Sequence, residues 1–449
     1  MEVTRRVSEF IARMACSDIP EPALAAARRA LLDTLGVALA GSKEPTAQII
    51  AEYVRKIGGK PIATIFRAGL KASAADAALA NGTIAHALDY DDNAMPMRAH
   101  ASAVLIPTIL ALAEQEKSSG KEILAAYVIG REVGGKIGDA LGAEHWIEGW
   151  HSTATVGVMA SAAAASKILR LDTQKCAIAL ALAASQAGGL KAQFGTMAKP
   201  FHAGMAARNG VTAAMLADSG FTASEHILED PFGYFKVLGK RRESDYAHIP
   251  QTLANPWDIL ANGVLVKPSP GVWYTAVDAL SRLVEAHSFS PSQVKKIEAR
   301  LSARFLQGHR SDSLILPETA LEGRFSLEFN LAIALLEGQA GLAQFTDRKV
   351  QSASARELMG KIGVTGIEVK PTDPELLTVT LRDGREYTER LTAAVGSLAN
   401  PISDEGLEGK YRDCARFIGL DEKDIERSLR LIGSFERLAD IAELMDLLA

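Results

Sequence analysis

Apolar residues recur at helical spacing from the N-terminus to about residue 260, in Ala- and Leu-rich runs broken by glycine, proline and capping residues. This periodicity predicts helices at 20–40, 72–88, 102–115, 121–141, 152–169, 173–187 and 200–219. Small residues crowd several faces, as at Ala177, Ala179, Ala181, Ala183 and Ala184, so these helices can pack closely. After Lys267 the pattern changes. Segments 294–304 and 363–370 read as strands, and Leu377, Val379 and Leu381 alternate with polar neighbours. Asp383-Gly384 then supplies a hairpin turn before 385–391. Helices fit between these strands at 272–286 and 325–336. Helical spacing returns at 404–418 and 421–448. The fold class is mainly α: an all-helical domain made from both chain ends, with a smaller α+β segment between them.

Composition narrows the function. Lys+Arg number 49 against Asp+Glu 54, a formal net charge of -5, with no block of like charge. Nucleic-acid binding leaves a basic footprint, so no nucleic-acid partner is expected. The longest apolar stretch, 101–113, is too short to span a bilayer, and no membrane association is expected. The N-terminus lacks the apolar core and cleavage site of a secretory signal. Cys16, Cys176 and Cys414 are scattered, without a CxxC pair. A reducing cytoplasm is the expected compartment.

Three polar clusters could carry chemistry. His86-Ala87-Leu88-Asp89-Tyr90-Asp91-Asp92 ends an apolar helix and leads through a loop to Arg98 and His100. Three carboxylates so close repel one another unless solvated, paired or metal-bound. A solvated helix end is one reading and a divalent-metal site another, but no second carboxylate/His motif of ligand spacing supports the metal. The second cluster, Gly149-Trp150-His151-Ser152-Thr153, places His151 ahead of a helix that Ser152 or Thr153 would cap; the helix dipole would favour its neutral form, although a satisfied core histidine fits equally. In the third, 194–202 followed by 206–210, Pro200 suits a first helical position. Lys199 would then lie at a helix N-terminus, a poor place for a cation unless an anion joins it; a surface lysine held clear of the dipole is the alternative. The run Gly130 to Lys136 matches part of a phosphate-binding loop, but Ile137 replaces the metal-holding hydroxyl and no strand precedes it.

The stretches AHALDYDD (85–92), GWHSTATVG (149–157) and GTMAKPFHAGMAARNG (195–210), with 100–107, resemble the MmgE/PrpD family over most of the chain. The resemblance implies a helical domain from 1–266 and 398–449, an α+β lid at 267–397, a homodimer, a small anionic carboxylate substrate, and neither cofactor nor metal. Residue by residue, it implies functional roles for Asp89, His100, His151, Lys199 and Lys267. Three positions depart from the family pattern. Lys267 is followed by Pro268-Ser269-Pro270 instead of an aromatic-proline pair, Phe329 stands where some members carry tyrosine, and Trp146 stands where the epimerase branch carries one.

The chemistry implied is proton removal beside a carboxylate, through an enolate-like state that fixed cations stabilise. His151 or Lys199 would be the base, and His100, oriented by Asp89, the acid for a departing hydroxyl. Lys267, Arg98, Ser102 and His202 are the candidate substrate-binding residues. A hydro-lyase of 2-methylcitrate dehydratase type is the first expectation. An iminodisuccinate-type epimerase, a cis-aconitate-type decarboxylase and a non-catalytic carboxylate-binding scaffold are the alternatives.

Overall fold

The computed structural model describes residues 2–449 except 304, 305, 307–314, 369–373 and 394. Two compact units emerge, Met1–Val266 with Ser403–Ala449, and Lys267–Ile402. The first is built on α1 (Val3–Arg13), α2 (Glu21–Gly41), α3 (Pro45–Ile57), α4 (Ala74–His86), α5 (Ala101–Glu116) and α6 (Gly120–Ile147). It continues through α7 (Ser152–Thr155), α8 (Gly157–Ile168), α9 (Thr173–Ala184) and α10 (Ala198–Asp218). Local chemistry sets their starts. Ser73 accepts from the Asp76 N–H at the head of α4, Asp172 caps α9, and Ser119 with Glu122 forms a reciprocal capping box on α6.

Alanine and glycine decide how these helices meet. A Cβ at Gly82 of α4 would lie 2.9 Å from Gly204 Cα of α10, and one at Gly204 would lie 2.3 Å from the Leu79 carbonyl oxygen. The two helices that carry much of the polar chemistry therefore cross backbone to backbone. At Gly36 an added Cβ would sit 3.1 Å from Tyr411 Cα, which seats the C-terminal helix Asp404–Phe417 against α2. Residues from both chain ends share one apolar core, from Val3 and Leu31 to Tyr411 and Leu444.

The first unit is not all-helical, contrary to the expectation from periodicity. β1 (Ala63–Ile65) and β2 (Leu70–Ala72) form an antiparallel hairpin. Strands of three residues are too short to show an alternation, and side chains satisfy part of their backbone. Thr64 N–H donates to Glu114 at 2.7 Å, and the Asn81 amide donates to the Thr64 carbonyl at 2.8 Å. Two long predicted helices are also broken. Segment 152–169 divides at Val156 into α7 and α8, and 421–448 resolves into Glu422–Gly433, a turn at Phe435–Arg437, and Ala442–Leu448.

In the second unit β3 (Val294–Ser302), β4 (Ile362–Ile367), β5 (Leu376–Leu381) and β6 (Glu386–Arg390) form one sheet in the order β4-β3-β5-β6. β3 runs parallel to β4 and antiparallel to β5. The expected alternation holds: Leu377, Val379 and Leu381 are buried, and Gly384 takes φ 90° in the β5–β6 turn. The helices Tyr274–His287 and Leu327–Glu337 complete its core. The predicted strand ends at 304 and 370 lie outside the described residues. Among the described residues no helix is long and apolar enough to cross a membrane.

Candidate active site

The loop leaving α4 is buried rather than solvated: Asp89, Asp91 and Asp92 are 4%, 0% and 1% exposed. Buried carboxylates must be paired or protonated. Pairing accounts for the first two. Lys199 Nζ lies 2.6 Å from Asp89 Oδ2, and Asp89 Oδ1 lies 3.4 Å from His100 Nε2. His100 Nδ1 is 3.0 Å from Asp91 Oδ2, and Asp91 Oδ1 is 2.9 Å from His86 Nδ1. The result is an alternating chain, Lys199, Asp89, His100, Asp91, His86, in which every link joins titratable groups.

Burial opposes ionisation of Asp91, but the flanking His86 and His100 rings outweigh it and hold the carboxyl well below the usual carboxylate range. Asp92 has no such flank. Burial, then the nearby Asp33, pushes its carboxyl up to about 7, with the neighbouring Ser102 hydroxyl acting in the opposite direction. The Ser102 hydroxyl also lies 2.7 Å from the Tyr127 hydroxyl, so Ser102 adjoins Asp92 rather than the alternating chain.

His151 sits beside the chain, its ring 6.2 Å from that of His86 and 5.0 Å edge-on from Phe194. Its Nδ1 is 3.0 Å from His202 Nδ1. Two neutral rings at that distance take complementary tautomers, one donating and one accepting. Burial first, then Lys199 and the neighbouring imidazoles, hold His151 well below its ordinary pKa; burial, His86 and Lys199 lower His202. This corrects the sequence argument. α7 has only four residues, and His151 itself occupies its N-cap with no side-chain cap bond, so desolvation and like charge keep the ring neutral. Thr153 does not cap either; its hydroxyl accepts from the His100 N–H at 3.1 Å and ties the two histidine segments together.

Lys199 is the second residue of α10 and Pro200 the third, two positions further into the helix than expected. The anion it needs is supplied by Asp89. The ammonium also stands 5.2 Å over the Phe194 ring. Arg98, with φ 52°, donates to the Pro96 carbonyl of its own loop at 2.9 Å, and no described contact joins it to the chain of charges. Lys267 is buried at the start of the second unit.

His86 and Asp91 are the members that sequence reasoning left out of the site. Both lie in the AHALDYDD stretch, and the signal was the spacing of His86 and His100 around the aspartates, legible only once the loop folds back. His86, Asp89, Asp91 and His100 each offer a ligand atom within 4.8 Å of the others, so the ligand set that the sequence lacked does form. An ion there would compete with Lys199 for Asp89 and with each imidazole for Asp91.

A buried array of imidazoles, carboxylates and one ammonium can hold an anionic substrate and move protons without a redox group. The MmgE/PrpD N-terminal domain matches residues 5–247 and the MmgE/PrpD C-terminal domain residues 268–431, and the chain belongs to the MmgE/PrpD family. Among its relatives, the cis-aconitate decarboxylase of Homo sapiens is 29% identical over 94% of this chain and 89% of that protein. The cis-aconitate decarboxylases of Aspergillus terreus and Mus musculus are each 27% identical over 99% of this chain, covering 96% and 93% of those proteins. These relatives overturn the hydro-lyase expectation.

Proposed function

We propose that the chain is a cofactor-independent carboxy-lyase acting on a cis-aconitate-type tricarboxylate. The observation that carries this reading is the alternating chain from Lys199 to His86, in a protein matched nearly end to end by cis-aconitate decarboxylases. In such a substrate the bond from the CH₂ carbon to its carboxylate breaks and CO₂ leaves. The electron pair becomes a new double bond to the central carbon, and the former alkene carbon takes up one proton. Charge builds on the remaining carboxylates as this happens, and a fixed cation beside them is worth a few kcal/mol, or about 3, in the transition state.

Lys199 is the cation proposed for that task, held in place by Asp89. His100, between two carboxylates, carries and delivers the proton. His151, held neutral, serves as acceptor and hydrogen-bond partner with His202. Ser102, Arg98 and Lys267 stay in the proposal as substrate-binding residues on the family resemblance. A cytoplasmic homodimer completes it; Ile49, Tyr53 and Ile57, all exposed on α3, are the kind of apolar face such pairing would cover.

Turnover of cis-aconitate in deuterium oxide tests the reading. One CO₂ and one product carrying a single new carbon-bound deuterium are expected for each substrate consumed. Loss of water or inversion of a stereocentre on a panel of tricarboxylates and iminodicarboxylates, with no CO₂ released, overturns it.

A further inference from the structure

Asp89 and Asp91 sit on either side of a loop carbonyl that is held from elsewhere in the fold. Asp89 takes φ 51°, in the left-handed region, which aspartate tolerates better than most residues with a Cβ but which sharply turns the chain here. The carbonyl between the two catalytic candidates, that of Tyr90, accepts a hydrogen bond from Lys410 Nζ at 2.8 Å. Lys410 belongs to the C-terminal helix Asp404–Phe417 and is buried, with its ammonium 2.6 Å from Asp33 Oδ1 of α2 and 3.9 Å over the Tyr90 ring. A second buried cation grips the same loop further on. Arg131 of α6, paired with Asp258, donates to the Met95 carbonyl at 3.2 Å. A buried ion pair is a weak route to stability, because apolar residues of the same volume often do as well. What Lys410 supplies that an apolar residue could not is a donor aimed at one carbonyl.

We propose that Lys410, neutralised by Asp33, is a positioning residue: it pins the Tyr90 carbonyl and so fixes where Asp89 and Asp91 present their carboxylates to Lys199, His100 and His86. The C-terminal segment is thereby part of the site's support. This rests on the reading of the Asp89–His100 chain as the reacting centre.

The test uses the full-length chain with Lys410→Met, and with Asp33→Leu/Lys410→Met, which removes both charges so that none is left unpaired in the core. Two measurements are made on folded protein: amide hydrogen exchange of residues 87–92, and kcat and KM on cis-aconitate. Exchange in 87–92 should quicken by about tenfold or more while α5 stays unchanged, and kcat should fall on the order of tenfold to a hundredfold with KM nearly constant. Unchanged loop exchange, or an unchanged kcat in a variant whose loop has loosened, overturns the proposal. If the parent chain does not turn over cis-aconitate, the decarboxylase reading fails, whereas loop exchange still decides whether Lys410 is the pin.

Discussion

His145 and His100 lie in the same helical unit, both buried, yet their partners differ in kind. His145 Nδ1 is 3.0 Å from the Leu238 carbonyl and Nε2 is 2.7 Å from the Thr155 hydroxyl, with Trp150 stacked against the ring. None of these partners titrates near neutrality. His100 faces Asp89 and Asp91, and through them Lys199 and His86. The first ring is fixed by neutral groups and has nowhere to send a proton. The second is bracketed by two carboxylates, and through them by an ammonium and another imidazole, a set of ionisable neighbours suited to acid–base chemistry. Partner type, more than burial, is what makes His100 rather than His145 the candidate for chemistry.

The largest expected effect breaks that contrast from the chemical side. Lys199→Met, His100→Gln and His151→Gln should each lower turnover of the true substrate by about a hundredfold or more in protein that still folds, with Lys199→Met also losing stability because the buried Asp89 is left without its cation, and the Lys199→Met/His151→Gln pair should be scarcely worse in turnover than its worse member. His145→Gln should instead leave kcat near that of the parent and lower thermal stability. Steady-state kinetics beside calorimetry reads both, and a His145 variant with a hundredfold rate loss would erase the distinction.

A packing change should come next. Gly204→Ala gains helix propensity of about 1 kcal/mol, but its Cβ would meet the Leu79 carbonyl and the Thr83 hydroxyl, each at 2.3 Å. Steric crowding wins, so a net loss of about 1–3 kcal/mol is expected in denaturant unfolding, with a fall in kcat as Lys199 shifts relative to His86.

Acid sharpens the comparison further. Burial lowers the pKa of His145. A base whose folded pKa is depressed binds fewer protons in the native state than in the unfolded one, so stability is lost as pH falls below the ordinary histidine value of about 6.5. Asp92, pushed up to about 7, acts with the opposite sign, since its penalty grows as pH rises from about 4 towards 7. The difference between His145→Gln and the parent therefore isolates the histidine: the variant should lose less stability between pH 7 and pH 5. The smallest expected effect is that of exhaustive chelation, after which turnover should persist; loss restored by one divalent ion would give His86, Asp89, Asp91 and His100 a metal-binding role.

The helices and the lettered motifs were legible because each is local. Periodicity spans one helix, and His151 or Lys199 stands inside a contiguous family stretch. The β1–β2 hairpin was hidden because its three-residue strands carry no alternation and lean on Glu114 and Asn81. Lys410 was hidden for a different reason. It is one more polar residue in a charged, amphipathic helix, and its partner Asp33 and target Tyr90 lie near the other end of the chain. The bond broken could not be read either, because Lys199, His100 and His151 suit several eliminations alike.

The Gly82–Gly204 crossing sets a tolerance on everything above it. Where helices meet through side chains, their separation drifts as those side chains are exchanged over evolutionary time. Here two backbones rest on one another, so the spacing between α4 and α10 is gauged largely by main-chain atoms. A side chain added at either glycine would have to lift one helix off the other, so no rearrangement confined to the surrounding alanine and leucine layers could absorb it.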